Sequence, residues 1–128
     1  GGVALVRARE VLNKIEADGD RKTGVNIVYR ALEMPLRQIA ENAGFQGAVV
    51  LKKVMAGKGA FGFNADSYEY GDTIAMGVID PAKVVKSALK NASSAAGMLL
   101  ITDCVITDIP EKKPEQPMPG GGNPYGGY

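Results

Sequence analysis

The sequence contains no histidine and a single cysteine, Cys104. Without histidine there is no Ser-His-Asp or Cys-His arrangement for nucleophilic catalysis. One cysteine forms no intrachain disulfide and, with no histidine to join it, no zinc-ligand pattern. Set among apolar residues, Cys104 is expected as a small buried hydrophobe. The shortage of thiols fits a reducing, cytoplasmic setting. No apolar run is long enough to span a membrane. Fifteen Lys and Arg balance fourteen Asp and Glu for a net charge of +1. With no basic block among them, neither a nucleic-acid nor a membrane partner is expected. No signal-peptide pattern is present, and a helical pattern follows Gly1-Gly2-Val3 almost at once. The expectation is a piece cut from within a longer protein.

What is present suits one small domain. A chain of 128 residues with 45% hydrophobic content buries about two-thirds of its unfolded surface. Residues 3–17 place Ala4, Ala8, Val11 and Ile15, with Leu5 and Leu12, on one helical face, and leave Arg7, Arg9, Glu10 and Lys14 off its centre. Asp18-Gly19-Asp20 reads as the turn that ends this helix. A second helix is expected over 23–33, with Val25, Val28, Ala31 and Leu32 inward. Pro35 cannot continue it and instead starts a third, which carries Leu36, Ile39, Ala40 and Ala43 inward and stops at Gly44. A fourth covers 48–56. Four helices with short turns read as a bundle layer, so the fold class is mainly α.

Character changes at Gly57. Residues 58–77 read as loop with short extended pieces, and Gly77-Val78-Ile79 as a brief strand. The longest helix is expected from Pro81 to Ala96, opened by Asp80-Pro81 and ended by Gly97. It turns Val84, Val85, Ala88, Leu89, Ala92, Ala95 and Ala96 inward. Residues 99–109 are rich in β-branched types and read as a strand whose pairing partner is missing from the chain or supplied by another copy. The remaining 19 residues, 110–128, hold five of the seven prolines and five glycines. They are expected to be a disordered tail.

Gly57-Lys58-Gly59-Ala60-Phe61-Gly62 matches the G-x-G-x-x-G spacing of dinucleotide sites. That fingerprint requires a strand before it and a helix directly after, so that a helix N-terminus meets the pyrophosphate. Here a helix precedes and a loop follows, so the match is not a Rossmann element. No Walker-type phosphate loop is present. Asp80-Pro81 reads on physics alone as a helix start, and Asn64 as a turn residue. Each also has donors or acceptors suited to a nucleoside. Asp66 and Glu69 sit in a solvated polar loop and do not make a catalytic acid pair.

Several segments occur in an order that is more specific than any one of these motifs. They are Gly1-Gly2-Val3-Ala4-Leu5, Arg30-Ala31-Leu32-Glu33-Met34-Pro35-Leu36-Arg37-Gln38-Ile39 and Phe63-Asn64-Ala65-Asp66. Tyr70-Gly71-Asp72, Met76-Gly77-Val78-Ile79-Asp80-Pro81-Ala82-Lys83-Val84, Ser87-Ala88-Leu89 and Asn91-Ala92-Ser93-Ser94-Ala95-Ala96-Gly97 continue the set. Over residues 1–109 the chain resembles the group I chaperonins, the GroEL family. The resemblance implies the C-terminal part of an equatorial ATPase domain, helical with a small β element, over 1–109, followed by a flexible tail over 110–128.

By position, the resemblance places Gly1, Asn64, Ala65, Asp66, Val78 and Asp80 on the nucleoside side of an ATP site. Gly1 allows close approach, Asn64 and the Ala65-Asp66 backbone face the adenosine, Val78 packs near the base and Asp80 accepts from the ribose. The usual triplet is Asn-Ala-Ala, and Asp66 departs from it. The phosphate loop, the Mg²⁺-binding Asp and the catalytic Asp belong to earlier parts of such a subunit. ATPase activity is therefore expected of the full-length protein and not of this piece. Implied partners are other subunits in two stacked seven-membered rings. A co-chaperonin and unfolded clients would engage through domains outside this chain. Arg37 and the Phe45–Val49 turn correspond to an inter-ring contact region, and the strand near Cys104–Asp108 to a sheet shared with N-terminal segments. The tail ends in tyrosine in place of the common Gly-Gly-Met repeats. The rival reading is a helical oligomerisation or interaction module without nucleotide function. A stand-alone nucleotide-binding domain is disfavoured, because nothing here cradles phosphate.

Overall fold

The computed structural model describes residues 1–109. The tail expected over 110–128 lies outside them. The chain divides into one unit over Gly1–Lys90 and a second that begins at Asn91.

The first unit opens with helix α1, Val3–Ala8, which tightens into a 3-10 segment over Arg9–Lys14. The buried positions are Val3, Val6 and Arg9, with Leu12 half-buried. These are spaced by three, the period at which side chains eclipse in a 3-10 helix. The face expected from a 3.6-residue period is therefore displaced. Ala4, Ala8, Val11 and Ile15 are exposed, whereas Arg9 is among the most buried side chains in the molecule.

Asp18 opens α2, Gly19–Ala31, so the Asp-Gly-Asp turn starts this helix four residues earlier than its apolar pattern suggested. None of its residues is buried, and Leu32, just past its end, is the one of its expected inward set that is. Helices α3, Met34–Asn42, and α4, Gly47–Ala56, pack closely against each other. Pro35 sits in the first turn of α3. Gly44, at φ +84°, ends the pair's first helix. Its N–H donates to Glu41 O and that of Phe45 to Ala40 O, each at 2.9 Å, which together make a Schellman closure. The helices approach closely because Gly47 has no side chain; a Cβ there would lie 2.8 Å from Arg37 O.

Strands β1, Phe61–Asn64, and β2, Glu69–Asp72, make an antiparallel hairpin with Phe63 opposite Tyr70. The core gathers Val3 and Val6 of α1, Leu36 and Ala40 of α3, Val50, Leu51 and Val54 of α4, and Phe63 of β1. Each fully buried Val, Leu or Phe among them contributes about 1.5–3 kcal/mol.

Gly77-Val78-Ile79 is not a strand. Residues 73–77 form a single capped turn. Asp72 Oδ1 accepts from the N–H groups of Ile74 and Ala75 at 2.9 and 3.1 Å. Gly77, at φ +73°, closes the turn, with its N–H donating to Ile74 O and that of Val78 to Thr73 O. Helix α5 runs Ala82–Ile101 and passes through Gly97 without stopping. Pro81, and not Asp80, occupies the position before it: Pro81 O accepts from Val84 and Val85. The expected inward set of α5 is not buried.

In the second unit, described to residue 109, the helix continues to Ile101 and no strand follows. A strand needs a neighbour to satisfy its backbone groups. Among the described residues, the only paired strands are β1 and β2, which pair with each other. Cys104 is exposed in this stretch and is not the buried hydrophobe its neighbours suggested. Among the described residues, no helix is long and apolar enough to cross a membrane.

Candidate functional site

A cleft of about 270 Å³ opens in the first unit between the start of α1, the glycine-rich connection after α4 and the segment that follows the Thr73–Gly77 turn. Gly1, Ala4 and Arg7 line it on one side, Gly59 and Ala60 on another, and Ile74, Val78, Ile79 and Asp80 on the third. Its walls are chiefly apolar or glycine. A carboxylate and a guanidinium supply its charged groups.

Gly1 and Asp80 face each other. A Cβ added at Gly1 would lie 2.9 Å from Ile39 Cδ1 and 3.4 Å from Asp80 Oδ2, so it would press on the Ile39 side chain and stand in ordinary contact with the carboxylate. Gly2 permits this placement of the chain. It holds φ +81°, and a Cβ there would stand 2.8 Å from the backbone N of Leu36. Both conditions select glycine. On the opposite side, the capped turn fixes where Val78 leaves the fold. The Thr73 hydroxyl and N–H both reach Ala60 O, at 3.0 and 2.9 Å, and tie that turn to the glycine-rich connection. Asp80 makes no side-chain hydrogen bond among the described residues and does not cap α5. Its carboxylate oxygens remain available to a ligand.

Gly1, Val78 and Asp80 are thus brought together on one cleft, although almost eighty positions separate them in sequence. The other three expected residues stand elsewhere. Asn64 ends β1 opposite Glu69, and its Oδ1 accepts from the Asp66 N–H at 3.0 Å in an Asx turn. Ala65 is partly buried against the core, and Asp66 is exposed. None of the three lines the cleft.

Arg7 and Thr73 also line the cleft, although neither is among the residues the sequence singles out. Thr73 is buried, and Arg7 is half-buried with its guanidinium bound to main-chain carbonyls. The signal for Arg7 was its place one turn beyond Val3 on the packed side of α1; the displaced helical face hid it.

The G-x-G-x-x-G spacing has a steric cause. A Cβ at Gly57 would lie 2.2 Å from the Phe61 ring, and one at Gly62 would lie 2.6 Å from both Thr73 Cγ2 and Val3 Cγ2. Gly59 takes φ +56° in open space. No helix follows the motif, as expected of a false dinucleotide fingerprint.

Residues 1–110 match the TCP-1/cpn60 chaperonin family. The chain belongs to that family. The match spans the whole first unit and the described part of the second. Membership gives this chain a chaperonin role. The cleft lies inside the matched region, as does the Asn64-Ala65-Asp66 tip.

Proposed function

We propose that this chain is the C-terminal part of the equatorial domain of a group I chaperonin, that it supplies the nucleoside side of an ATP pocket, and that it contributes contacts for ring assembly. The observation that carries the reading is the apposition of Gly1 and Asp80 across a cleft that Val78 also lines. The residues present fit a nucleoside. A free carboxylate accepts from sugar hydroxyls, Val78 and Ile79 offer apolar surface to a flat base, and the missing side chain at Gly1 leaves room beside the carboxylate. Pockets for whole drug-sized ligands begin at about 300 Å³, so a cleft of about 270 Å³ suits a nucleoside better than a complete triphosphate.

Phosphoryl transfer rests on positioned phosphate and metal contacts. In this reading those contacts, Mg²⁺ included, come from earlier parts of the subunit, as do the surfaces for a co-chaperonin and for clients. Bound ATP would supply the transferable phosphoryl group. The residues of this chain hold the nucleoside. The reading extends to subunits arranged in two stacked seven-membered rings and to a cytoplasmic setting.

The test is adenosine binding to the 128-residue chain, followed by amide chemical shifts. Binding is expected to be weak, to move the amides of Val78 and Asp80, and to fall about tenfold or more in Asp80→Ala, since a hydrogen bond to a charged group is worth about 1.5–3 kcal/mol. Indifference of adenosine binding to Asp80 overturns the nucleoside reading. Micromolar ATP affinity of this chain in calorimetry overturns the assignment of the phosphate contacts to another part of the subunit.

A further inference from the structure

The Arg7 guanidinium makes three hydrogen bonds, all to main-chain carbonyls remote in sequence. Its Nε donates to Gly59 O at 3.2 Å, and its Nη2 donates to Val54 O at 2.8 Å and to Phe61 O at 3.1 Å. Val54 O belongs to the last turn of α4 and also accepts from the Gly57 N–H at 3.1 Å. Gly59 lies in the connection that leads into β1, and Phe61 is the first residue of that strand. One side chain therefore fastens the end of α4, the glycine-rich connection and the start of the hairpin to α1.

The same side chain lines the cleft together with Gly59, Ala60 and Asp80. The connection it holds has little of its own to fix it. Gly59 sits at φ +56° with no atom near its Cβ position. Its other ties are the Gly57 N–H to Val54 O, the Phe61 N–H to Lys58 O and the two bonds from Thr73 to Ala60 O. A wall made of glycine and alanine has no side chains to hold its shape, so its position is set by these bonds. Arg7 supplies the ones on the α1 side, the side that carries Gly1.

We propose that Arg7 is a positioning residue for the nucleoside cleft: it acts through Gly59 and Phe61 to hold the glycine-rich wall at the distance from Asp80 that a nucleoside requires. This inference rests on the nucleoside reading above. The planar guanidinium spans three acceptors at once, whereas a lysine ammonium is a single point on a flexible stem. Arg7→Lys keeps the charge and most of the buried stem but cannot reproduce the fork.

The test is an adenosine titration of ¹⁵N-labelled 128-residue chain, wild type and R7K, with Asp80→Ala as the control for the cleft itself. In the wild type, the amides of Gly59, Ala60 and Val78 are expected to shift together along one saturable curve. In R7K, adenosine affinity is expected to fall about five- to tenfold, the loss of one or two net hydrogen bonds. The Gly59 and Ala60 shifts should disappear while those at Val78 persist. R7K with wild-type affinity and an unchanged shift pattern overturns the positioning role and leaves the nucleoside reading standing. A wild type in which adenosine moves none of these amides overturns both. Should R7K fail to fold, the Arg7 Nε–H resonance of the wild type decides. A shift along the same curve as Val78 supports the proposal, and an unmoved resonance overturns it.

Discussion

Removing the Arg9 guanidinium would strand Glu33 beside the core. Arg9 Nη1 is paired with Glu33 Oε1, Nη2 lies 2.9 Å from Met55 Sδ, and the guanidinium carbon sits 4.5 Å above the Tyr29 ring. Among the described residues its Nε has no hydrogen-bond partner, and Glu10 Oε1 stands 3.8 Å away. Breaking a buried pair costs about 3–5 kcal/mol, and the 19% exposure of Glu33 brings the expected loss for Arg9→Met to about 2–3 kcal/mol. Adding Glu33→Leu should recover part of that loss in urea unfolding. The glycines of the connection make a second comparison. Gly62→Ala meets two methyl groups and should cost about 1–3 kcal/mol. Gly59→Ala meets only the left-handed backbone penalty, about 1–2 kcal/mol, and thermal melts would rank the two. Their spacing was plain in the sequence, but their cause was not. The atoms that crowd Gly62 belong to Val3 and Thr73, and no local pattern links residues 3, 62 and 73. Arg9 was hidden for a related reason: a charged residue off the centre of an apolar stripe reads as solvent-facing until its partners on three other elements are known.

Elements whose ends are set by local chemistry were legible. Pro35, Gly44 and the α3–α4 pair fell where proline and glycine placed them, because caps depend on neighbours within a turn. The turn over Thr73–Gly77 is also local, but β-branched Val78-Ile79 resembles a strand in sequence, whereas the Asp72 side chain caps a turn just before it. Asp72→Ala removes the acceptor for two amides and should cost about 1 kcal/mol. Faster hydrogen exchange at Ile74 and Ala75, with altered Val78 shifts, would register it; unchanged protection would show that the Gly77 closure alone holds the turn. Composition misled over 99–109. β-Branched content is a weak prior that pairing decides, and the described residues offer that stretch no strand neighbour. Of the candidate site, Gly1, Val78 and Asp80 line one cleft, and no local pattern links residue 1 to residues 78 and 80; Asn64 spends its acceptor on its own turn.

At the scale of the whole molecule, an apolar stretch is left in solvent. Leu100, Ile101, Ile106 and Ile109 are 86%, 83%, 93% and 89% exposed, and exposed apolar surface favours association. Sedimentation should show weight-average mass rising with concentration, and Leu100→Lys with Ile106→Lys should suppress the rise; a wild type that stays monomeric to its solubility limit would refute this. Family membership was readable because the segments that carry it occur in order over the whole match, a property no single element holds. The three Arg7 bonds have a consequence in time as well as in space. They join residues 47, 52 and 54 positions apart, while α3 closes onto α4, and β1 onto β2, across short turns. Long loops are closed late because their entropy is lost before their contacts form. Helix α1 should therefore dock after the α3–α4 pair and the hairpin have assembled. In stopped-flow experiments Arg7→Lys should leave the refolding rate nearly unchanged and speed unfolding, which makes this arginine a latch on the lifetime of the folded chain.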